Sequence, residues 1–358
     1  MDKTDIKKYI GKKEWSISEN LKIMDLNGNG ILFITDENEV LIGTLTDGDI
    51  RRWLIKTGQI NVETSEIMNW NPRFLFESDN TDASSFIRDN RIRAVPILDV
   101  KKHIVDIVFS TKRDRKHSGM SKALSGYSTI IMAGGKGTRL YPYTKILPKP
   151  LIPIEDIPII ERIMNRFHSY GIEDFYVTVN YKKDMIRAYF KDQNVPYRIH
   201  FIEENQPLGT AGSITLIQER FEYPVIVTNC DILIQAEYDR IVEHHIQSQN
   251  VMTIVSSLKN TRIPYGVLHS QNEGIITSME EKPEISFFIN TGMYVVSPMY
   301  LDLIPTDREY HMTQFAERLI KDGHRVGMYP ISEKSFLDMG EFEEMKKMEE
   351  RINEGYVQ

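Results

Sequence analysis

The stretch Ile130-Ile131-Met132, running into Ala133-Gly134-Gly135-Lys136-Gly137-Thr138-Arg139-Leu140, constrains this chain most. An apolar, β-branched run that breaks into glycines reads as a buried strand delivering its carboxyl end to a tight turn. Glycines let the main chain approach a ligand closely and turn its N–H groups onto an anion. Arg139 follows the turn, and Lys149 stands between Pro148 and Pro150. Cations so placed suit phosphates and the charge of a leaving pyrophosphate. The plainer alternative is a strand, a turn and surface cations. The stretch is not a P-loop, since no G-x-x-x-x-G-K-[ST] occurs, and Leu140 stands where G-x-G-x-x-G would need its last glycine.

The chain has 358 residues, which predicts two domains rather than one. Its net charge of −7 argues against nucleic acid as the main partner. The single cysteine, Cys230, suits a reducing compartment and reads as a small buried filler. No apolar run approaches the roughly 18–20 residues of a membrane span. The first residues carry no signal-peptide pattern. The expectation is a soluble cytoplasmic protein with no membrane partner.

Residues 1–114 read as two related halves, 1–60 and 61–114, each β-α-β-β-α in type, which should pack against each other. The first holds a helix-periodic run from Ile17, a strand Ile31–Ile34, a polar turn, a strand Val40–Leu45 and a helix from Asp47. The second repeats the order with a helix Ala83–Asn90 and strands Ala94–Leu98 and Ile104–Phe109. Asp25-x-Asn27-x-Asn29-Gly30, with Asp36 at the twelfth position, nearly matches a calcium loop. A strand follows it where an EF-hand needs a helix, and the last ligand is not Glu, so calcium is rejected. Residues 115–127, rich in Lys, Ser and Gly, read as a tether. From 128 to 358 apolar runs alternate with helical patterns, which predicts an α/β domain with a mostly parallel sheet and helices on both faces.

Ligands in such sheets sit at the carboxyl ends of strands. The residues there are Asn180-Tyr181, then Glu203-Glu204-Asn205-Gln206-Pro207-Leu208-Gly209-Thr210-Ala211-Gly212, then Asn229-Cys230-Asp231. The second group reads as a loop opening a helix Thr210–Arg220, suited to a base and phosphates. Asp231 suits Mg²⁺ held between protein and phosphates, or else caps the next helix.

These segments resemble those of the sugar-1-phosphate nucleotidyltransferases. Tyr265-Gly266-Val267, Glu281-Lys282-Pro283, Asn290-Thr291-Gly292 and Ser335-Phe336-Leu337-Asp338-Met339-Gly340 follow in that family's order. The resemblance covers about residues 128–358. It implies a Rossmann-like (GT-A-like) domain with a mixed, mostly parallel sheet, and direct transfer of a nucleotidyl group from an NTP to a sugar 1-phosphate. It also implies roles. Ala133, Gly134, Gly135, Lys136, Gly137, Thr138, Glu204, Gly209 and Thr210 would bind the nucleotide. Arg139 would grip the leaving pyrophosphate, and Lys149 would stabilise charge at the α-phosphate. Gly266, Glu281, Lys282 and Asn290 would hold the sugar and its phosphate, and Asp231 and Asp338 would bind Mg²⁺.

Gly43-Thr44-Leu45-Thr46-Asp47-Gly48-Asp49 and its surroundings resemble a tandem pair of CBS domains, an α+β module. By that resemblance Thr46 would contact the phosphate of an adenine nucleotide and Asp49 its ribose hydroxyls. The second copy departs from the pattern: Asp106 replaces Gly43, and Thr111-x-x-Asp114 is shifted by one residue. One nucleotide site is therefore expected, or a pair serving only to dimerise the chain. A homo-oligomer is expected in either case.

Glu204 lies where the family reads the base edge. A carboxylate only accepts, and guanine offers N1–H and N2–H₂ side by side, which favours GTP; uracil and thymine offer one N–H between carbonyls. Glu203 or a main-chain group remains an alternative reader. CBS repeats before a short nucleotidyltransferase resemble the glucosamine-1-phosphate guanylyltransferases of bacterial legionaminic acid synthesis, and also heptose-1-phosphate guanylyltransferases, which typically lack CBS repeats. Mannose 1-phosphate, and uridylyl or thymidylyl transfer, remain open. No hexapeptide repeat follows Asp338, so no coupled acyltransferase is expected. A non-catalytic nucleotide-sensing scaffold on the same fold is the reading from another class.

Overall fold

The computed structural model describes residues 3–90, 92–110, 122–306, 308–340 and 342–353. Thr111, Asp114 and most of the expected tether lie outside the described residues. The chain divides into two compact units: Met1–Gly119 with Leu258–Ile289, and Met120–Ser257 with Asn290–Gln358. Residues 258–289 thus group with unit 1, although the sequence reads 128–358 as one continuous block.

Unit 2 is built on a mixed, mostly parallel sheet. Strand Ser128–Met132 lies inside it, with Asp174–Val179 and Val225–Asn229 parallel on either side and Arg198–Glu203 parallel beyond Asp174–Val179. Met293–Val296 then runs antiparallel to Val225–Thr228, and Met252–Ser257 pairs parallel with Val326–Ile331. Side chains alternate across the sheet, as a period of two requires. Ile131, Phe175, Val177 and Ile226 enter one core, with Ile159, Ile160, Ile163, Met164 and Phe167 of helix Ile159–His168. Ile130, Met132, Tyr176 and Val227 enter the other, with Met312, Phe315 and Leu319 of helix Met312–Lys321. Both faces are therefore covered, as expected for parallel strands. Helix Ile159–His168 starts after Pro158, and Gly171 takes a left-handed φ of 96° beyond its end.

The expected helix Thr210–Arg220 does not form. A single turn, Gly209–Gly212, passes into a 3₁₀ segment Ser213–Leu216. Ala211 and Gly212 both donate their N–H to Tyr310 O, at 2.9 and 3.0 Å. These are donors that a helix start leaves free, so the contact caps the turn; β-branched Ile214 and Thr215, poor helix formers, follow it.

In unit 1 the two halves repeat one another. Ile10–Lys12, Ile31–Thr35 and Leu41–Thr46 form one sheet; Leu75–Phe76, Ala94–Leu98 and Ile104–Phe109 form the other. Each leading strand pairs parallel with the next, and each hairpin pairs antiparallel. Phe33 and Leu41 of the first half share a core with Ala94, Leu98 and Ile107 of the second, so the halves pack together as expected. Helix Ile17–Asn27 stops on Gly28, and a strand follows at Ile31. Asn27 Oδ1 accepts from Asn29 N, and Asn29 Nδ2 donates to Tyr9 Oη. This is a helix stop with its polar atoms in use, consistent with rejecting a calcium loop.

Candidate active site

The carboxyl end of Ser128–Met132 opens into a cavity of about 430 Å³ in unit 2. Gly134, Gly135, Gly137, Thr138, Arg139, Lys149, Glu204, Gly209, Thr210 and Asp231 all line it. The structure thus brings together most of the nucleotide, catalytic and metal residues expected from the sequence. A 740 Å³ cavity in unit 1 is larger, so chemistry rather than size singles this one out.

The turn is fixed from below. Ala133 N donates to Thr178 O on the neighbouring strand, so the chain leaves the sheet in a set direction. A Cβ on Gly134 would lie 2.7 Å from Glu204 Oε1, so a larger residue there would push the Glu204 carboxylate from its place. Gly137 has φ +64° and covers the stem of Lys149, where a Cβ would come within 3.0 Å of the lysine Cβ. Around Gly135 the space is open. Lys136, Thr138 and Arg139 are exposed around this opening, and Thr138 begins a short 3₁₀ turn, Thr138–Leu140.

Charge converges on one wall. Lys149, buried, is ion-paired with buried Asp231. Strand Ile232–Ile234 pairs antiparallel with Phe336–Asp338, which sets Ile232 opposite Asp338, and Met339 N donates to Asp231 O at 2.8 Å. Burial, then the charge of Asp231, push the Asp338 carboxyl up from its ordinary value; Lys149 and Arg139 oppose this. A Cβ on Gly340 would lie 3.0 Å from Asp338 Oδ1 and 3.3 Å from an Arg139 nitrogen, so that carboxylate and guanidinium flank the same glycine. Burial pushes the Cys230 thiol up to about 12, which keeps it protonated and leaves it a filler.

Asp231 on the cavity lining and Asp338, which repels it, fit Mg²⁺, which binds through one or two carboxylates plus substrate phosphates. Among the described residues no cluster of three or more His, Cys, Asp or Glu offers an all-protein metal cage.

The opposite wall holds Glu204. It is buried, its carboxylate accepts from Leu208 N at 3.4 Å, and burial raises its pKa. Glu203 is tied to Lys183 instead, at 2.6 Å, on another side of the strand. Sequence reasoning missed Glu309 and His311, which also line the cavity. His311 Nδ1 accepts from Thr210 N at 3.4 Å, and Met312 N donates to Thr210 Oγ1 at 3.0 Å. The available signal was Gln314, three residues into helix Met312–Lys321, whose Oε1 accepts from His311 N at 2.8 Å.

Asn290 is engaged at both ends of its amide: Nδ2 donates to Tyr294 Oη at 2.7 Å, and Oδ1 accepts from Gly292 N at 2.9 Å. Gly266, Glu281 and Lys282 belong to unit 1, on a hairpin of Gly266–Ser270 and Ile276–Glu281. There Gly266 faces Glu281, and Lys282 Nζ lies 3.6 Å from Glu281 Oε1. Thr46 and Asp49 form a reciprocal cap at the start of helix Asp47–Thr57. Thr46 N and Oγ1 donate to Asp49 Oδ2 at 2.9 and 2.6 Å, and Oδ1 pairs with Arg52.

An α/β sheet with a glycine-rich turn, a buried lysine–aspartate pair and a second carboxylate at its strand ends defines a nucleotidyltransferase fold. The family model described as nucleotidyl transferase matches residues 128–355, and the chain belongs to that family. The CBS domain model matches residues 12–56. The chain is similar to a bifunctional protein GlmU of Methanococcus aeolicus, 30% identical over 56% of this chain and 48% of that one. It is 33% identical to a mannose-1-phosphate guanyltransferase of Yarrowia lipolytica, over 49% of this chain and 50% of that one. It is 31% identical to a UTP–glucose-1-phosphate uridylyltransferase of Synechocystis, over 51% and 52%. The chain thus spans about half the length of these relatives. The crystal structure of HddC from Yersinia pseudotuberculosis matches 63% of this chain and 99% of its own, at 27% identity and a TM-score of 0.50. No described helix is long and apolar enough to cross a membrane.

Proposed function

We propose that this protein transfers a nucleoside monophosphate, GMP by preference, from an NTP to a sugar 1-phosphate, with glucosamine 1-phosphate favoured. The observation that carries this is the Lys149–Asp231 pair set beside Asp338 and Arg139 at the rim of the glycine turn. A sugar-1-phosphate oxygen attacks the α-phosphorus in line. A bond forms from that oxygen to phosphorus, and the bond to the β-phosphate oxygen breaks and releases pyrophosphate. No protein nucleophile is needed, so alignment and charge do the work. Main-chain N–H groups of the turn and Arg139 hold the leaving phosphates. Lys149, kept in place by Asp231, neutralises charge growing on the α-phosphoryl oxygens. By the family resemblance, Lys282 would hold the incoming phosphate. Mg²⁺ bound by Asp231 and Asp338 would supply further neutralisation of the phosphates.

Glu204 supports guanine, because its carboxylate offers acceptors to N1–H and N2–H₂. Its bond from Leu208 N occupies part of that capacity and supports, as the second reading, a uracil read by main-chain groups. An adenine nucleotide at the CBS repeats, bound by Thr46 and Asp49 at the expense of their cap, would regulate or assemble the enzyme as a cytoplasmic homo-oligomer. Pyrophosphate release is measured with GTP, UTP, dTTP and ATP against a panel of sugar 1-phosphates. Release with GTP and glucosamine 1-phosphate is expected. Release with UTP but not GTP would overturn the guanine reading, and no release with any pair would overturn the enzyme reading.

A further inference from the structure

Strand Asp174–Val179 runs out into Asn180-Tyr181-Lys182, and these three residues reach segments of both cavity walls. Asn180 Nδ2 donates to Glu204 O at 2.9 Å. Tyr181 Oη donates to Thr144 O at 3.2 Å. Lys182 Nζ donates to the carbonyls of Thr144, Lys145 and Ile146, at 3.4, 2.5 and 2.8 Å. Those carbonyls belong to helix Tyr143–Ile146, a single turn that stands between Arg139 and Lys149 in the chain. The last carbonyls of a helix have no partner within it and form its negative end. An ammonium with three donors answers them as a C-terminal cap.

Thr144 carries this contact to the site. It is buried, and a Cβ on Gly137 would lie 2.9 Å from Thr144 Cγ2 and 3.0 Å from Lys149 Cβ. The Thr144 methyl thus fills the corner between the glycine turn and the stem of the buried lysine, while its carbonyl is held by Tyr181 and Lys182. Packing adds little elsewhere in the span, where Tyr141 and Ile146 are 61% and 74% exposed. Lys182 itself has left-handed backbone, φ +53°, which glycine or asparagine takes more readily. Its side chain, not its backbone, is what suits lysine to this position.

We infer that Lys182 is a positioning residue for nucleotidyl transfer: by clasping the carboxyl end of helix Tyr143–Ile146 it fixes the span that joins Arg139 to Lys149, and so sets affinity for the NTP and for pyrophosphate. Tyr181 assists it at the Thr144 carbonyl. This rests on the reading of Arg139 and Lys149 as the groups that meet the phosphates of the NTP.

The test is kinetics of the full chain in both directions. KM is measured separately for GTP (or the NTP that supports pyrophosphate release), for the sugar 1-phosphate and, in reverse, for pyrophosphate. Lys182→Asn removes the clasp and keeps a residue that tolerates left-handed backbone. It should raise KM for the NTP and for pyrophosphate about three- to tenfold and leave KM for the sugar phosphate within about twofold. Lys182→Arg keeps the donors and should recover most of the loss. Tyr181→Phe removes one of the two donors to Thr144 O and should raise KM for the NTP about twofold. The Lys145 and Leu147 amides, bonded to Pro142 O and Tyr143 O, should exchange faster in Lys182→Asn, while strand Ser128–Met132 keeps its protection. Arg139→Ala is run beside these variants. If it leaves KM for the NTP and for pyrophosphate unchanged, the phosphate reading of the turn fails and this inference with it. If Arg139→Ala raises both while Lys182→Asn matches wild type, this inference alone fails. A parallel rise in KM for the sugar phosphate, or no recovery in Lys182→Arg, would also overturn it.

Discussion

The glycine turn of unit 2 and the Thr46–Asp49 turn of unit 1 look alike in sequence. Each is a short polar motif between a strand and a helical turn, and each resembles a phosphate- or nucleotide-binding element. They differ in where their polar atoms go. At Thr46–Asp49 both carboxylate oxygens and the hydroxyl are consumed by the cap and by Arg52. At the glycine turn the space over Gly135 is open, Arg139 is exposed, and burial, with the charge of Asp231 second, raises the pKa of Asp338. A motif that satisfies itself can bind only by giving up hydrogen bonds. One that keeps charge aimed at open space carries a standing cost in stability and gains preorganisation.

The largest expected effect tests the second half of that comparison. Lys149→Ala should lower kcat by about 10²–10³-fold, the scale for one preorganised donor, with the fold retained by circular dichroism. An unchanged kcat would move the chemistry away from this wall. Next in size is a stability effect of opposite sign. A buried carboxyl whose pKa is raised binds its proton more tightly when folded, so it costs stability as pH rises past the ordinary carboxylate range. Asp338→Asn and Glu204→Gln should therefore each raise the melting temperature at pH 7, by roughly 2–4 °C. The gain should shrink towards pH 4 as the native carboxyls protonate. Asp338→Asn should lose activity while it gains stability; a melting temperature that falls at pH 7 would show that the carboxylate is not under repulsion.

The cap in unit 1 predicts the reverse pattern. Thr46→Ala should cost about 1 kcal/mol in denaturant unfolding, with or without adenine nucleotide, because it removes an N-cap. No change would mean that the hydroxyl serves a ligand and not the helix. The smallest effect is at His311. Its 3.4 Å contact with Thr210 N is long, so His311→Ala should raise KM for NTP only about two- to threefold.

Much of this was legible in the sequence, for a physical reason. Strands buried on both faces, such as Ser128–Met132 and Val225–Asn229, are continuous apolar runs, and the turns that end them are marked by glycine, asparagine or aspartate. Local pattern therefore located the strand ends, and with them Glu204, Asp231 and the turn before Arg139, while Lys149 stood out between its two prolines. What it missed depends on distant partners. The helix expected at Thr210–Arg220 stops after one turn, which docks on Tyr310 O through Ala211 and Gly212, a contact that no local periodicity encodes. The segment 258–289 reads locally as part of residues 128–358, yet Leu258 is buried against a helix that begins at Ile17. Glu309 and His311 carry no glycine or proline signal of their own, so the cavity wall they form emerges only from the fold.

The most direct test of the account is pyrophosphate release by the full chain with GTP, glucosamine 1-phosphate and Mg²⁺, wild type beside Asp231→Asn. The account predicts sugar-dependent release by the wild type and loss of that release in the variant. Release that continues at the wild-type rate in Asp231→Asn, or wild-type release that does not depend on the sugar phosphate, would contradict it.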